Sequence, residues 1–192
     1  MPGGALAFVV QKHKATALHY DFRLEIGGVM PSWSVPKGPT LDPAVKRLAM
    51  PTGPHDLEYR RFEGVIPKGG YGAGPVMIWD QGTYTPEQEV SKGVRRQTEG
   101  RAEAEEAAEA GLRGGNLKFT LYGEKLGGSF ALVRTRGMQG AKEAWLLIKH
   151  RDSFCMTGYD ANAYDYSAET NRTLGEIAKE GATPGCQFKP LL

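Results

Sequence analysis

The sequence predicts a mainly β protein with short helices. Three observations carry this: short runs in which apolar and polar residues alternate, 26 glycines and 12 prolines placed largely between those runs, and a single stretch of strong helix composition. With 192 residues, 40% of them hydrophobic and 24% charged, the chain is sized for one domain, residues 1–192, with a substantial core. A formal net charge of +2 dictates no partner. No apolar run reaches the length of a membrane span, and "MPGGALAFVV" lacks the basic start of a secretory signal. Cys155 and Cys186 have no metal-ligand spacing and read as two free thiols in a reducing compartment, so a cytoplasmic location is expected.

In chain order, "ALAFVVQKH" and "LHYDFRLEI" read as two strands. Gly27-Gly28 then makes a two-residue turn into "VMPSWSV", since glycine accepts the positive φ that tight hairpins need. The punctuated segment "PKGPTLDP" leads to "KRLAM", and the turn residues of "PTGPHDLEY" leave His55 near a strand end or on a surface loop. "GVIPKGGYGAG" is a glycine-rich connection into "PVMIWDQGTYT", within which Asp80-Gln81-Gly82 is expected to reverse the chain. The alanine- and glutamate-rich "RAEAEEAAEAGL" reads as a solvated helical excursion stopped by Gly114-Gly115. Strands resume in "NLKFTLYG", "GSFALVRT" and "AWLLIKH". In the tail, Thr173 and Glu176 stand at capping-box spacing before a short helix that Gly181 ends.

Period-two alternation in "LHYDFRLEI" puts Leu18, Tyr20, Phe22, Leu24 and Ile26 on a core face and His19, Asp21, Arg23 and Glu25 on the other. Imidazole and carboxylate two residues apart suit a divalent transition metal, with His13 of the preceding strand as a third donor. Three protein ligands with open positions leave room for water or a phosphate oxygen. The same spacing also fits a merely solvated strand face. Arg23 on that face, with Lys37, Arg47 and Arg60 further on, could converge on an anion, although each taken singly reads as a solvent-facing charge. "KGGYGAG" lacks GxxxxGK[ST] and is better read as a turn or bulge than as a phosphate loop. His150 shows no partner in sequence.

The motifs "VVQKHKATALHYDFRLE", "SWSVPKGPTLDP", "KRLAM", "FEGVIPKGGYGAG" and "WLLIKH", in this order over about residues 8–150, resemble the 3′-phosphoesterase domain of bacterial ligase D and its stand-alone relatives. The resemblance implies a compact β-barrel with its active site on a concave face, with residues 151–192 as a C-terminal extension. It implies a manganese-dependent, or similar divalent-metal-dependent, enzyme that processes 3′ ends of DNA or RNA such as primer-templates. Residue by residue, it implies that His13, His19 and Asp21 bind the metal and that Gln11 and Arg23 place the scissile phosphate. Lys37 and Arg47 match phosphate-binding residues, and His55 and Tyr59 match the family's downstream catalytic pair.

Two departures refine the expectation. Only Met1 to Ala7 precede Phe8, where the family carries a charged arm, and Gly53 stands where it carries an acidic residue. Both features go with removal of a 3′ ribonucleoside, so phosphate release is the main activity expected. The sequence contains no ligase or polymerase module, and separate partners are expected to supply those steps. Two other readings fit fewer residues: a non-catalytic module that holds DNA ends, and a two-histidine, one-carboxylate iron oxygenase built on His19, Asp21 and His55.

Overall fold

The computed structural model describes residues 5–136 and 143–181. Ten strands form one sheet: β1 (Leu6–Lys14), β2 (Leu18–Leu24), β3 (Val29–Val35), β4 (Lys46–Asp56), β5 (Gly64–Ile66), β6 (Gly74–Ser91), β7 (Val94–Gln97), β8 (Asn116–Gly123), β9 (Gly127–Arg134) and β10 (Trp145–Lys149). The order β1-β2-β3-β4-β10-β9-β8-β6, closed by pairing of β6 back onto β1, makes an antiparallel eight-stranded barrel. Closure removes the sheet edges that would otherwise expose unpaired backbone. The short strands β5 and β7 add to β6 outside the ring.

Alternation fills the barrel. Phe8, Val10, Tyr20, Phe22, Leu24, Trp33, Val35, Trp79, Tyr84, Phe119 and Phe130 form its core, with Phe119 stacked on Phe130 at 6.2 Å and Tyr20 edge-on to Trp79 at 5.4 Å. A second, smaller cluster of Val9, Met30 and Ile78 lies apart from it, covered by Leu57 and Ala168. That is the side on which the polar residues of β1 and β2 lie.

Three readings of the sequence are corrected. Asp80-Gln81-Gly82 does not reverse the chain, because β6 runs through it for 18 residues. The register against β1 shifts between Val10 and Gln11, where Trp79 is the extra residue, so core residues change parity from Met77 and Trp79 to Tyr84. Gly82 is there because β8 passes too close for a side chain: a methyl group would overlap the Tyr122 carbonyl. "PTGPHD" is likewise not loop but the continuation of β4, pairing Thr52 with Ser32 and His55 with Met30. The helix α1 (Gly100–Gly114) is not a solvated excursion. It buries Ala104 and Ala108 in the main core and is tied to β2's end by Arg101 and Glu25 at 2.5 Å.

The tail follows its expectation. Thr173 and Glu176 form a capping box on α2 (Leu174–Glu180), and Ile177 reaches the core. Cys155 is a free, half-buried thiol, and Cys186 lies outside the described residues. His150 does have a partner, Ser129 Oγ at 2.7 Å. Among the described residues no helix is long and apolar enough to cross a membrane.

Asp80, fully buried, accepts backbone N–H groups of Gln81, Glu124, Lys125 and Leu126 at 2.8–3.1 Å and so moors the β8–β9 turn to β6. Asp80→Ala removes all four partners at once and is expected to cost about 3 kcal/mol in urea unfolding. A loss below about 1 kcal/mol would show that water replaces the carboxylate.

Candidate metal and phosphate site

The β1–β2 hairpin pairs His13 with His19 and Gln11 with Asp21, and β2 pairs Asp21 with Ser34 and Arg23 with Ser32 on β3. Residues opposite one another share a face, so this register alone gathers Gln11, His13, His19, Asp21, Arg23, Ser32 and Ser34. One His13, one His19 and one Asp21 ligand atom lie within 4.8 Å of one another. His19 Nε2 is 3.4 Å from Asp21 Oδ1, and His13 Nδ1 is 3.8 Å from Oδ2.

The other nitrogen of each ring is held by the backbone. His13 Nε2 donates to the Gly72 carbonyl at 2.6 Å, and His19 Nδ1 donates to the Ala17 carbonyl at 3.1 Å. A carbonyl only accepts, so those nitrogens carry the ring protons, and the nitrogens facing Asp21 present lone pairs when the rings are neutral. Lone pairs facing a carboxylate require a positive charge between them, a proton or a cation. Imidazole nitrogens with a carboxylate oxygen are donors that a first-row divalent ion takes, and the three atoms are close enough that they could hold one. Burial pushes the Asp21 carboxyl up, but hydrogen bonds to His13 and His19 and the Arg23 charge outweigh it and hold it below the usual carboxylate range. His19 is raised, chiefly by its hydrogen bond to Asp21.

Arg23 lies at the centre, 3% exposed. Nε donates to Gln11 Oε1 at 2.7 Å, Nη1 to Ser32 Oγ at 2.9 Å and to His55 Nδ1 at 3.0 Å, and Nη2 to Asp21 at 3.2 Å. Tyr59 packs its ring 5.1 Å from the guanidinium carbon. Of the five N–H donors, four are committed within the described residues, which leaves one on Nη2 for a ligand oxygen. Gln11, fully buried, uses its amide to hold the carbonyls of Tyr59 and Phe62 at 2.9 and 3.0 Å. It thereby fixes the 3-10 turn Leu57–Arg61 that carries Tyr59.

His55 Nδ1 lies 3.0 Å from both Arg23 Nη1 and the Gly53 carbonyl. Arginine always donates, so Nδ1 accepts, Nε2 carries the proton, and Gly53 becomes a partner only to the protonated ring. Burial, and then the Arg23 charge, lower the His55 pKa from its ordinary 6.5.

His13, His19, Asp21, Arg23, His55 and Tyr59 line one open cavity of about 570 Å³. Gln11 lies beneath it, behind Arg23. Lys37, exposed in the turn after β3, and Arg47, on β4 opposite Leu147, are not part of that lining. Arg60 turns back to the Leu57 carbonyl and Glu58. Sequence reasoning missed Ser32, Ser34, Tyr71 and Gly72. The two serines could have been found by running the Gly27-Gly28 turn's register back along β3. Tyr71 and Gly72 reach the cavity only through the return of a distant loop.

The site thus consists of a two-histidine, one-carboxylate donor set beside a buried guanidinium on a closed barrel. The family model described as the DNA ligase D 3′-phosphoesterase domain matches residues 11–134, and the chain belongs to that family. It is 46% identical over 190 residues to the multifunctional non-homologous end joining protein LigD of Pseudomonas aeruginosa, covering 96% of this chain and 20% of that protein. The Mycolicibacterium smegmatis LigD is 41% identical over 172 residues, covering 90% and 20%, and the Mycobacterium tuberculosis LigD is 41% identical over 135 residues, covering 70% and 15%. The chain thus spans about a fifth or less of the length of these relatives.

Since its folded pKa is depressed, His55 contributes stability that is present above 6.5 and lost as pH falls through the lower folded value. In an NMR titration of the metal-free protein, the His55 ring resonance is expected to move with a midpoint below 6.5. A midpoint at or above 6.5 would show that burial and the Arg23 charge do not outweigh the Gly53 carbonyl and the nearby carboxylates.

Proposed function

We propose that this chain is a divalent-metal-dependent 3′-phosphoesterase that converts a 3′-phosphate at a DNA or RNA end to a 3′-hydroxyl, with manganese as its metal. The observation that carries the reading is the convergence of His13, His19 and Asp21 with Arg23 and His55 on one cavity in a member of this family. In this reading His13, His19 and Asp21 hold the ion, which supplies Lewis acidity toward a nonbridging phosphate oxygen and a more acidic bound water.

The chain's own residues do the rest. Arg23, buried and fixed on four sides, offers its remaining Nη2 proton to the phosphate and offsets charge that builds on phosphorus. The neutral His55 ring, with its proton on Nε2, acts as hydrogen-bond donor to the phosphoryl group or the leaving oxygen. Tyr59, whose ring lies 4.8 Å from that of His55, keeps it in place, and Gln11 holds both Arg23 and the turn that carries Tyr59. Lys37 and Arg47, outside the cavity lining, contact substrate phosphates beyond the scissile one. The activity serves non-homologous end joining, the process in the names of the relatives, beside ligase and polymerase activities. Gly53 places no carboxylate two residues before His55, and 3′-phosphate release is accordingly the main reaction, with ribonucleoside removal secondary.

The test is a 5′-labelled primer on a template, ending in a 3′-phosphate or in one 3′ ribonucleotide. Manganese is expected to support conversion of the phosphate to a hydroxyl, and EDTA to abolish it. His19→Ala and Asp21→Asn should lose both manganese affinity and turnover, while His55→Ala should slow turnover about 100-fold or more with manganese binding intact. Manganese-independent turnover, or near-wild-type rates in all three variants, would overturn the assignment. Primer binding without product would favour an end-holding module.

A further inference from the structure

The glycine-rich run "KGGYGAG" contributes the Gly72 carbonyl that holds His13, yet its tyrosine has no role in the chemistry above. Tyr71 lines the same cavity and is fully exposed, at 105% the most uncovered large hydrophobic among the described residues. Its backbone is fixed on both sides: Gly70 N–H donates to the Pro67 carbonyl at 3.1 Å, and Gly72 is tied to His13 at 2.6 Å. The tie to a candidate metal ligand keeps the tyrosine at the cavity. A ring held there without protein cover presents an open aromatic face to whatever enters.

We infer that Tyr71 is a stacking platform for the nucleobase of the nucleotide that carries the 3′-phosphate, an inference that rests on the phosphoesterase reading. The cavity divides its chemistry. His13, His19, Asp21, Arg23 and His55 take charge and phosphate, while Ile66 and Tyr71 are apolar. A phosphate ester seated on the polar side brings its own sugar and base with it, and the base is the flat, apolar part of that nucleotide. Every base has a π-face, so a tyrosine platform strengthens end binding without selecting sequence. This explains why an aromatic side chain stands in a loop otherwise made of glycine, alanine and one lysine.

The experiment compares two oligonucleotides that differ only at the 3′-phosphorylated end, one with an intact nucleotide and one with an abasic residue. Anisotropy titrations run without divalent metal read binding alone. Tyr71→Ala is expected to raise Kd for the intact end about 10-fold, within the range of about 5- to 150-fold set by base–aromatic stacking. It should leave the abasic end unchanged, and Tyr71→Trp should behave as wild type on both. With manganese, the loss in Tyr71→Ala should fall on KM, with kcat retained. Equal losses on both ends, no loss on either, or no measurable binding by the unmodified protein would overturn the inference. If the unmodified protein turns over neither substrate but Tyr71→Ala still loses affinity for the intact end alone, the platform stands and the phosphoesterase reading falls.

Discussion

A charged guanidinium buried to 3% exposure is the constraint on which the site is organised. Taking Arg23 out of water costs several kcal/mol, and only dense pairing offsets it. Asp21 supplies the counter-charge, Gln11 and Ser32 take two more donors, and His55 takes a fourth. Each of these partners is in turn committed elsewhere: Asp21 to the two histidines, Gln11 to the turn that carries Tyr59, and Ser32 to the Met30 carbonyl. The charge is therefore a hub through which strands β1 to β4 and the 3-10 turn share one set of positions. Lysine could not replace it, having neither the planar fork nor enough donors to reach four separate groups.

The same hub gives the two kinds of histidine their different characters. His13 and His19 turn protons outward to carbonyls and face a carboxylate, an arrangement that calls for a positive charge in the gap. His55 faces a guanidinium instead, which fixes its tautomer and, after burial, lowers its pKa. One strand residue, Arg23, thus separates a cation-attracting end of the cavity from a hydrogen-bond-donating end.

Much of this was legible in nine letters. The alternation of "LHYDFRLEI" assigns core and polar faces, and the Gly27-Gly28 turn sets the neighbouring register, so the proximity of His19, Asp21 and Arg23 follows from period two alone. The capping box at Thr173 is equally local. What was not legible is what depends on a distant neighbour. Gly82 looks like a turn residue until β8 is seen against it, and the alanines of α1 look like surface until the barrel is placed beneath them. Glu63, wholly buried, is bound by Ser167, Thr170 and Arg172 from the far end of the chain, a contact that no local pattern announces. The prolines of β4 hid a strand for the same reason, since tertiary pairing overrides local preference.

The pairing map also separates local from long-range contacts. His13, His19 and Asp21 all belong to one hairpin joined by three residues, and such local pairs form on the scale of about 1–10 μs. Barrel closure joins Leu6 to Tyr84 and His13 to Val76, long-range contacts whose loop entropy makes them slow. The three donors thus rest on local pairing, whereas His55, Tyr59 and Tyr71 come from segments further along the chain. Because the three face an open cavity and not the barrel interior, closing the barrel leaves them within reach of solvent.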